Sequence, residues 1–178
     1  MWIKVVKNGL SDDYESKSKW IGTLFITIGI IAAIYASFST FAPSTVISAT
    51  MVISGVISFY LTKKINPDIL ASRIKTHLLI LSGLLFLLFP YGESGTALFI
   101  ATVYFIGTMS CALFFAYMTR QNRTALAWLA NAIFSALFAY LVASHTFSAK
   151  AIGLFIALTL IFDGLAVLYS GRKIFIRP

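Results

Sequence analysis

A chain of 178 residues with 59% apolar and only 11% charged side chains, at a mean hydropathy of +0.89, lies outside the soluble globular class, where charged residues run near a quarter. Its formal net charge of +8 would suit nucleic acid in a soluble protein, but the basic residues stand in short segments between apolar blocks. Orientation in a membrane explains them, and no nucleic-acid partner is expected.

The apolar blocks predict helices in the following order. A polar segment carrying Asp12, Asp13 and Glu15 precedes a first span from Trp20 to Phe41, which stops before Pro43. That block is longer than a signal-peptide core and reads as a retained transmembrane helix. The second span runs from about Ser44 to Leu61 and ends at Lys63 and Lys64. The third is short, from about Thr76 to Phe89, and closes at Pro90; at some sixteen residues it falls below the roughly 20 that a bilayer requires. The fourth covers about Thr96 to Met118, the fifth about Thr124 to Ala143, and the sixth about Lys150 to Tyr169.

Charge decides that all six span. One face then receives Lys4, Lys7, Lys17, Lys19, Lys63, Lys64, Arg73, Lys75, Arg120, Arg123, Arg172, Lys173 and Arg177, and the other only Lys150. The positive-inside rule predicts both termini on the cytoplasmic side of the membrane. The opposite connections, around Pro43, Pro90 and His145, are too brief for an external domain. The predicted organisation is a cytoplasmic tail over 1–19 that can lie along the interface, a membrane domain over 20–171, and a basic tail over 172–178.

Paired as hairpins over about 20–62, 76–118 and 124–170, the spans show an internal repeat. SGVISFYLTKK from Ser54, CALFFAYMTRQ from Cys111 and DGLAVLYSGRK from Asp163 align without gaps. Tyr60, Tyr117 and Tyr169 fall in register before a small residue and a base, which suits a cytoplasmic interface. Gly55, Ala112 and Gly164 are small at matching depth, as are Gly29, Gly83 and Ser135 in the first helices. Small residues let backbones approach closely. Three repeats of two spans run parallel, unlike the inverted repeats of many secondary transporters.

The three hairpins, the outer turns at Pro43 and Pro90, and the closing GLFIALTLIFDGLAVLYSGRK with Gly153, Asp163 and Gly164 resemble the HdeD-like family of short-repeat membrane proteins over roughly residues 20–173. The third hairpin departs from the pattern in lacking the loop proline. The resemblance implies a six-helix inner-membrane protein connected with acid resistance and stress tolerance, and it carries over no catalytic residue.

Asp163 is the one formally charged residue within the long apolar runs, more than two turns from either end of the last. Burying an unpaired carboxylate there costs about 2.5–3.5 kcal/mol even on an insertion scale. It must be neutral, paired, or facing water or a neighbouring helix. Its slot in the sister hairpins holds Ser54 and Cys111, so the position does not itself demand charge. Asn131 is the other strongly polar residue within a span, nearer the cytoplasmic end, with Thr159 or Ser135 placed to bridge the two. His77 reads as interfacial, His145 and Glu93 as solvated loop residues, and Cys111 as an inert buried thiol. Ala32/Ala36 and Ala112/Ala116 mark helix contacts, and Asp12 with Glu15 resembles a capping box.

No phosphate loop, nucleophile motif, zinc motif or dinucleotide fingerprint is present, so no cofactor and no metal are expected. The expectation is an all-α polytopic bundle with the lipid bilayer as partner, a second copy or another membrane protein being left open. Its role is non-enzymatic support of acid or stress tolerance. The rival is a small transporter or channel with Asp163 lining a proton or solute pathway.

Overall fold

The computed structural model describes residues 11–38, 43–65, 70–89, 94–120, 124–144 and 149–173. All regular structure among them is helical: α1 (Ser11–Phe38), α2 (Pro43–Ile65), α3 (Leu70–Leu88), α4 (Ser94–Met118), α5 (Thr124–Ala143) and α6 (Ala149–Lys173). Apolar stretches long enough to cross a bilayer lie in α1, α4, α5 and α6, at Ser18–Phe38, Gly95–Met118, Ala125–Ala143 and Lys150–Tyr169. That of α2, Thr45–Tyr60, is shorter. The segment MWIKVVKNGL, Pro90, Glu93 and His145 lie outside the described residues.

Four boundaries differ from the sequence reading, the starts of α1 and α3 and the ends of α2 and α6, for one reason: helix continues into polar sequence. α1 begins at Ser11, so the segment with Asp12, Asp13 and Glu15 is already helical. α3 begins at Leu70, and its 19 residues make a helix of about 28 Å at 1.5 Å per residue. The added turns carry Arg73 and Lys75 into the helix. Proline at the head of α2 suits that position, where its missing N–H would have no partner.

The helices close into a ring in chain order, α6 returning to α1, with α2 also touching α6. The most intimate pairs are not those within the expected hairpins. They are α1 with α6, α2 with α3, and α4 with α5, while α1/α2, α3/α4 and α5/α6 pack more loosely.

Glycine explains the tight seams. A Cβ on Gly164 would stand 2.6 Å from the Gly22 carbonyl and 2.9 Å from the Ile26 nitrogen, and one on Gly29 would stand 2.9 Å from the Ala157 carbonyl. On the α2/α3 seam, a Cβ on Gly55 would lie 3.0 Å from the Ile80 nitrogen, and one on Gly83 3.0 Å from the Ser48 carbonyl. These are backbone-to-backbone approaches that any side chain would push apart. The α4/α5 seam uses alanine instead, with Ala112 and Ala132 in one buried cluster beside Trp128.

Inside the ring, the half near the α2, α4 and α6 starts is apolar. Ile47, Met51, Phe86, Ala101, Phe105, Val142, Ile152 and Ile156 fill it, and Phe138 stacks on Phe155 with ring centroids 4.6 Å apart. The outer surface is apolar as well, with Ile31, Phe38, Phe99, Ile133 and Leu137 among its many exposed side chains. A helix bundle apolar on both sides is built for lipid. Tyr60, Tyr117 and Tyr169 are all exposed at one end, and Arg120 lies over the Tyr117 ring.

The seam geometry sets a stability test. Gly164→Val should destabilise the bundle by about 1–3 kcal/mol through overpacking of α1 against α6. Gly95→Ala, whose Cβ would meet nothing within 4 Å, should stay within about 0.5 kcal/mol of the parent. Denaturant-induced loss of helical circular dichroism in detergent measures both.

Candidate functional site at the centre of the bundle

α3 and α6 are not close neighbours in the ring, yet an ion pair joins them. The Lys75 ammonium donates to Asp163 Oδ1 in a buried ion pair. Lys75 can span that gap because its stem is long. It also has reason to: Lys75 is the one lysine or arginine of described burial that is not exposed, and Asp163 is the only acid among the same residues. Side-chain exposure is 13% for Lys75 and 3% for Asp163, so the lysine approaches from the wetter side.

Asn131 on α5 completes the centre. Its Nδ2 donates to the same Oδ1 at 2.5 Å. The two residues do sit at different depths, and the pairing that the sequence left open is direct, with no bridging hydroxyl. Asn131 lies seven residues into α5 and Asp163 ten short of the end of α6. At 1.5 Å per residue these are depths of about 10 and 15 Å, a gap that side chains close. Neither proposed bridge acts: Thr159 Oγ1 donates to the Phe155 carbonyl at 2.9 Å, and Ser135 Oγ has no protein partner.

Trp128, one turn before Asn131 on α5, packs its ring beneath the ammonium, 5.3 Å from centroid to nitrogen. This distance lies within the range of cation–π attraction, which strengthens when the cation is desolvated. Phe115 stacks on the other side of that indole at 4.7 Å between centroids, holding its plane. The cation therefore has a carboxylate on one side and an aromatic face on another.

Several polar atoms lack a protein partner: Asp163 Oδ2 and Asn131 Oδ1 are buried and receive no hydrogen bond from the protein, and the hydroxyls of Ser54 and Ser135 are likewise buried without one. Ser135 stands one turn beyond Asn131 on the same face of α5. Buried polar atoms are nearly always satisfied, so a cluster of unsatisfied ones marks a place arranged for something other than packing.

Of the remaining candidates, His77 is exposed seven residues into α3, its Nδ1 2.6 Å from the Arg73 carbonyl and its ring edge-on to Phe59. Cys111 is buried. No group of three or more metal-ligating side chains occurs among the described residues. Sequence reasoning missed Lys75 and Trp128, having counted the lysine as a loop charge. The signal was the shortness of the third span: a full-length helix must extend back over Lys75.

No family model, no curated protein and no solved structure matches this chain.

The pair makes an asymmetric prediction. Removing one member of a buried ion pair costs about 3–5 kcal/mol, because it strands the other charge. Lys75→Met strands a carboxylate that cannot reach water, whereas Asp163→Leu strands a lysine that can extend toward the helix end. The first should destabilise more, and the double variant Lys75→Met/Asp163→Leu should recover most of the loss. Unfolding midpoints of all four proteins in one detergent give the coupling directly.

Proposed function

We propose that this chain is a six-span integral membrane protein of the cell inner membrane, with cytoplasmic termini, that moves a proton or small polar solute through the Lys75–Asp163–Asn131 centre. One observation carries the reading. The buried carboxylate is held on Oδ1 by a lysine and an amide, while Oδ2 is sequestered without a partner. A purely structural ion pair inside lipid would satisfy both oxygens, since orphaned acceptors weaken the packing that the pair is meant to secure.

The arrangement of the interior supports a passage role over chemistry. Asn131 and the Asp163 carboxylate are held beside a lysine that is partly open to solvent, while the apolar cluster with Phe86, Phe105 and Phe138 fills the interior beyond them. The carboxylate is already engaged by two donors, with no second acid beside it to serve as a partner in catalysis. The role proposed is therefore non-enzymatic.

A threefold repeat is the frame proposed for this centre. Ala157 and Ile161 meet Gly29 from α6, and Ser48 and Val52 meet Gly83 from α2. The first two precede Tyr169 by the same twelve and eight residues that separate the second two from Tyr60. Gly164 with Ile26 and Gly55 with Ile80 correspond in the same way. A link to acid or stress tolerance rests on the resemblance of the sixth helix to HdeD-like proteins, and a buried carboxylate at the heart of the molecule is compatible with it.

Two measurements test the reading. Proteoliposomes loaded with a pH-sensitive dye should dissipate an acid pulse faster with the parent protein than with Asp163→Asn, the variant falling to the rate of empty liposomes while keeping its helical spectrum. Equal rates for parent, variant and empty liposomes would remove the proton pathway. For the topology, single cysteines in a Cys111→Ala background at Arg120 and Pro178 should react with a membrane-impermeant maleimide only from the cytoplasmic side. A cysteine at Thr45 should react only from the opposite side.

A further inference from the structure

We infer that the pocket of Trp128, Asp163 and Asn131 is a seat for a small primary ammonium ion, with Lys75 as a tethered placeholder that such a ligand displaces. The inference rests on the passage reading above and names the class of solute that this site would take.

The chemistry of the seat comes first. Its groups are a carboxylate, an amide carbonyl, hydroxyls and the face of an indole, all of which attract positive charge or accept hydrogen bonds. An ammonium head has three donors and no acceptor. Lys75 places one N–H on Asp163 Oδ1, leaving Asp163 Oδ2 and Asn131 Oδ1 unfilled. A free ammonium, without a stem anchored on α3, can settle deeper and reach these oxygens as well. With the lysine displaced, an anion would meet the Asp163 carboxylate, which repels it.

Charge counting then forces exchange. Asp163 is the only carboxylate among residues of described burial, so the interior neutralises one cation at a time. A second cation entering beside Lys75 would meet like-charge repulsion in a medium of low dielectric. The ligand must therefore replace the lysine. Lys75 can leave without being stranded: it lies five residues from the start of α3, about 8 Å of helix, and its side chain is the more exposed of the pair. A lysine at that depth extends its head to the interface while its stem stays on apolar surface.

The test is calorimetric titration of n-butylammonium chloride, which reproduces the lysine head and stem, into the full chain in detergent. n-Butanol and tetramethylammonium serve as controls. Saturable binding is expected for the parent, at least tenfold tighter for Lys75→Met because the competitor is gone, and absent for Lys75→Met/Asp163→Asn. n-Butanol should not bind, and tetramethylammonium, lacking N–H donors, should bind more weakly than butylammonium. Binding that appears only after removal of Lys75, and never to the parent, would make the lysine a permanent structural partner and overturn the inference. Equal binding to the variants with and without the Asp163 carboxylate would overturn it as well. Should Lys75→Met not fold, Lys75→Gln takes its place with the same expectations. Failure here leaves the dye-monitored proton flux untouched, and loss of that flux leaves the titration readable, so the two ideas fail separately.

Discussion

A single carboxylate buried in a lipid-facing bundle constrains everything around it. Hydrocarbon cannot solvate the charge, and water does so only if the helices admit it, so the protein must supply a cation of its own. It does so from across the ring, with a lysine on α3 reaching to an aspartate on α6. That choice ties together two helices that otherwise do not adjoin, and it makes the ring interior, not a helix–helix seam, the place where the chemistry sits. Asn131 and Trp128, one turn apart on α5, follow from it: one shares the carboxylate oxygen, the other covers the cation.

The seams make this possible by taking up as little room as they do. At the α1/α6 and α2/α3 contacts, glycines let backbones meet at near van der Waals distance. Close approach along alternate edges lets three tight pairs assemble around an axis into which longer side chains project. If the seams instead carried leucine, the helices would stand apart and the centre would be too wide for one lysine to bridge. The glycines far from the polar centre thus help fix its dimensions. The rigid seams and the looser contacts between them divide the bundle unevenly. The α1/α2 contact is the loosest of these, and those of α3 with α4 and α5 with α6 flank Lys75 and Asp163.

How much of this could be read from the chain depends on which physical signal each feature leaves. Long apolar blocks leave a strong one, and the helices fall close to where the blocks lie. Asp163 and Asn131 were legible because polar groups are rare in such blocks. Their direct contact was not, since it depends on how far two side chains reach between helices whose tilt and stagger leave no mark in sequence. Lys75 was hidden by its company: among Lys63, Lys64 and Arg73 it looks like one more loop charge. Only the helix length shows it to be inside. The pairing of α6 with α1 was also hidden, because glycine reports that a neighbour comes close without saying which one.

Ser54, Cys111 and Asp163, which align with one another in the sequence, are all buried, so burial alone does not call for a charge. An isolated carboxylate at such a depth would be a severe defect. It becomes tolerable once Lys75 is within reach, and Asn131 narrows its remaining freedom. Yet the three residues together still leave acceptors unfilled, at a depth where each such atom weakens the fold. A sequence under pressure for stability alone has simpler options at a buried position, serine and cysteine among them. The retained imbalance is most economically explained by an occupant that brings donors and positive charge of its own, for which the lysine holds the place.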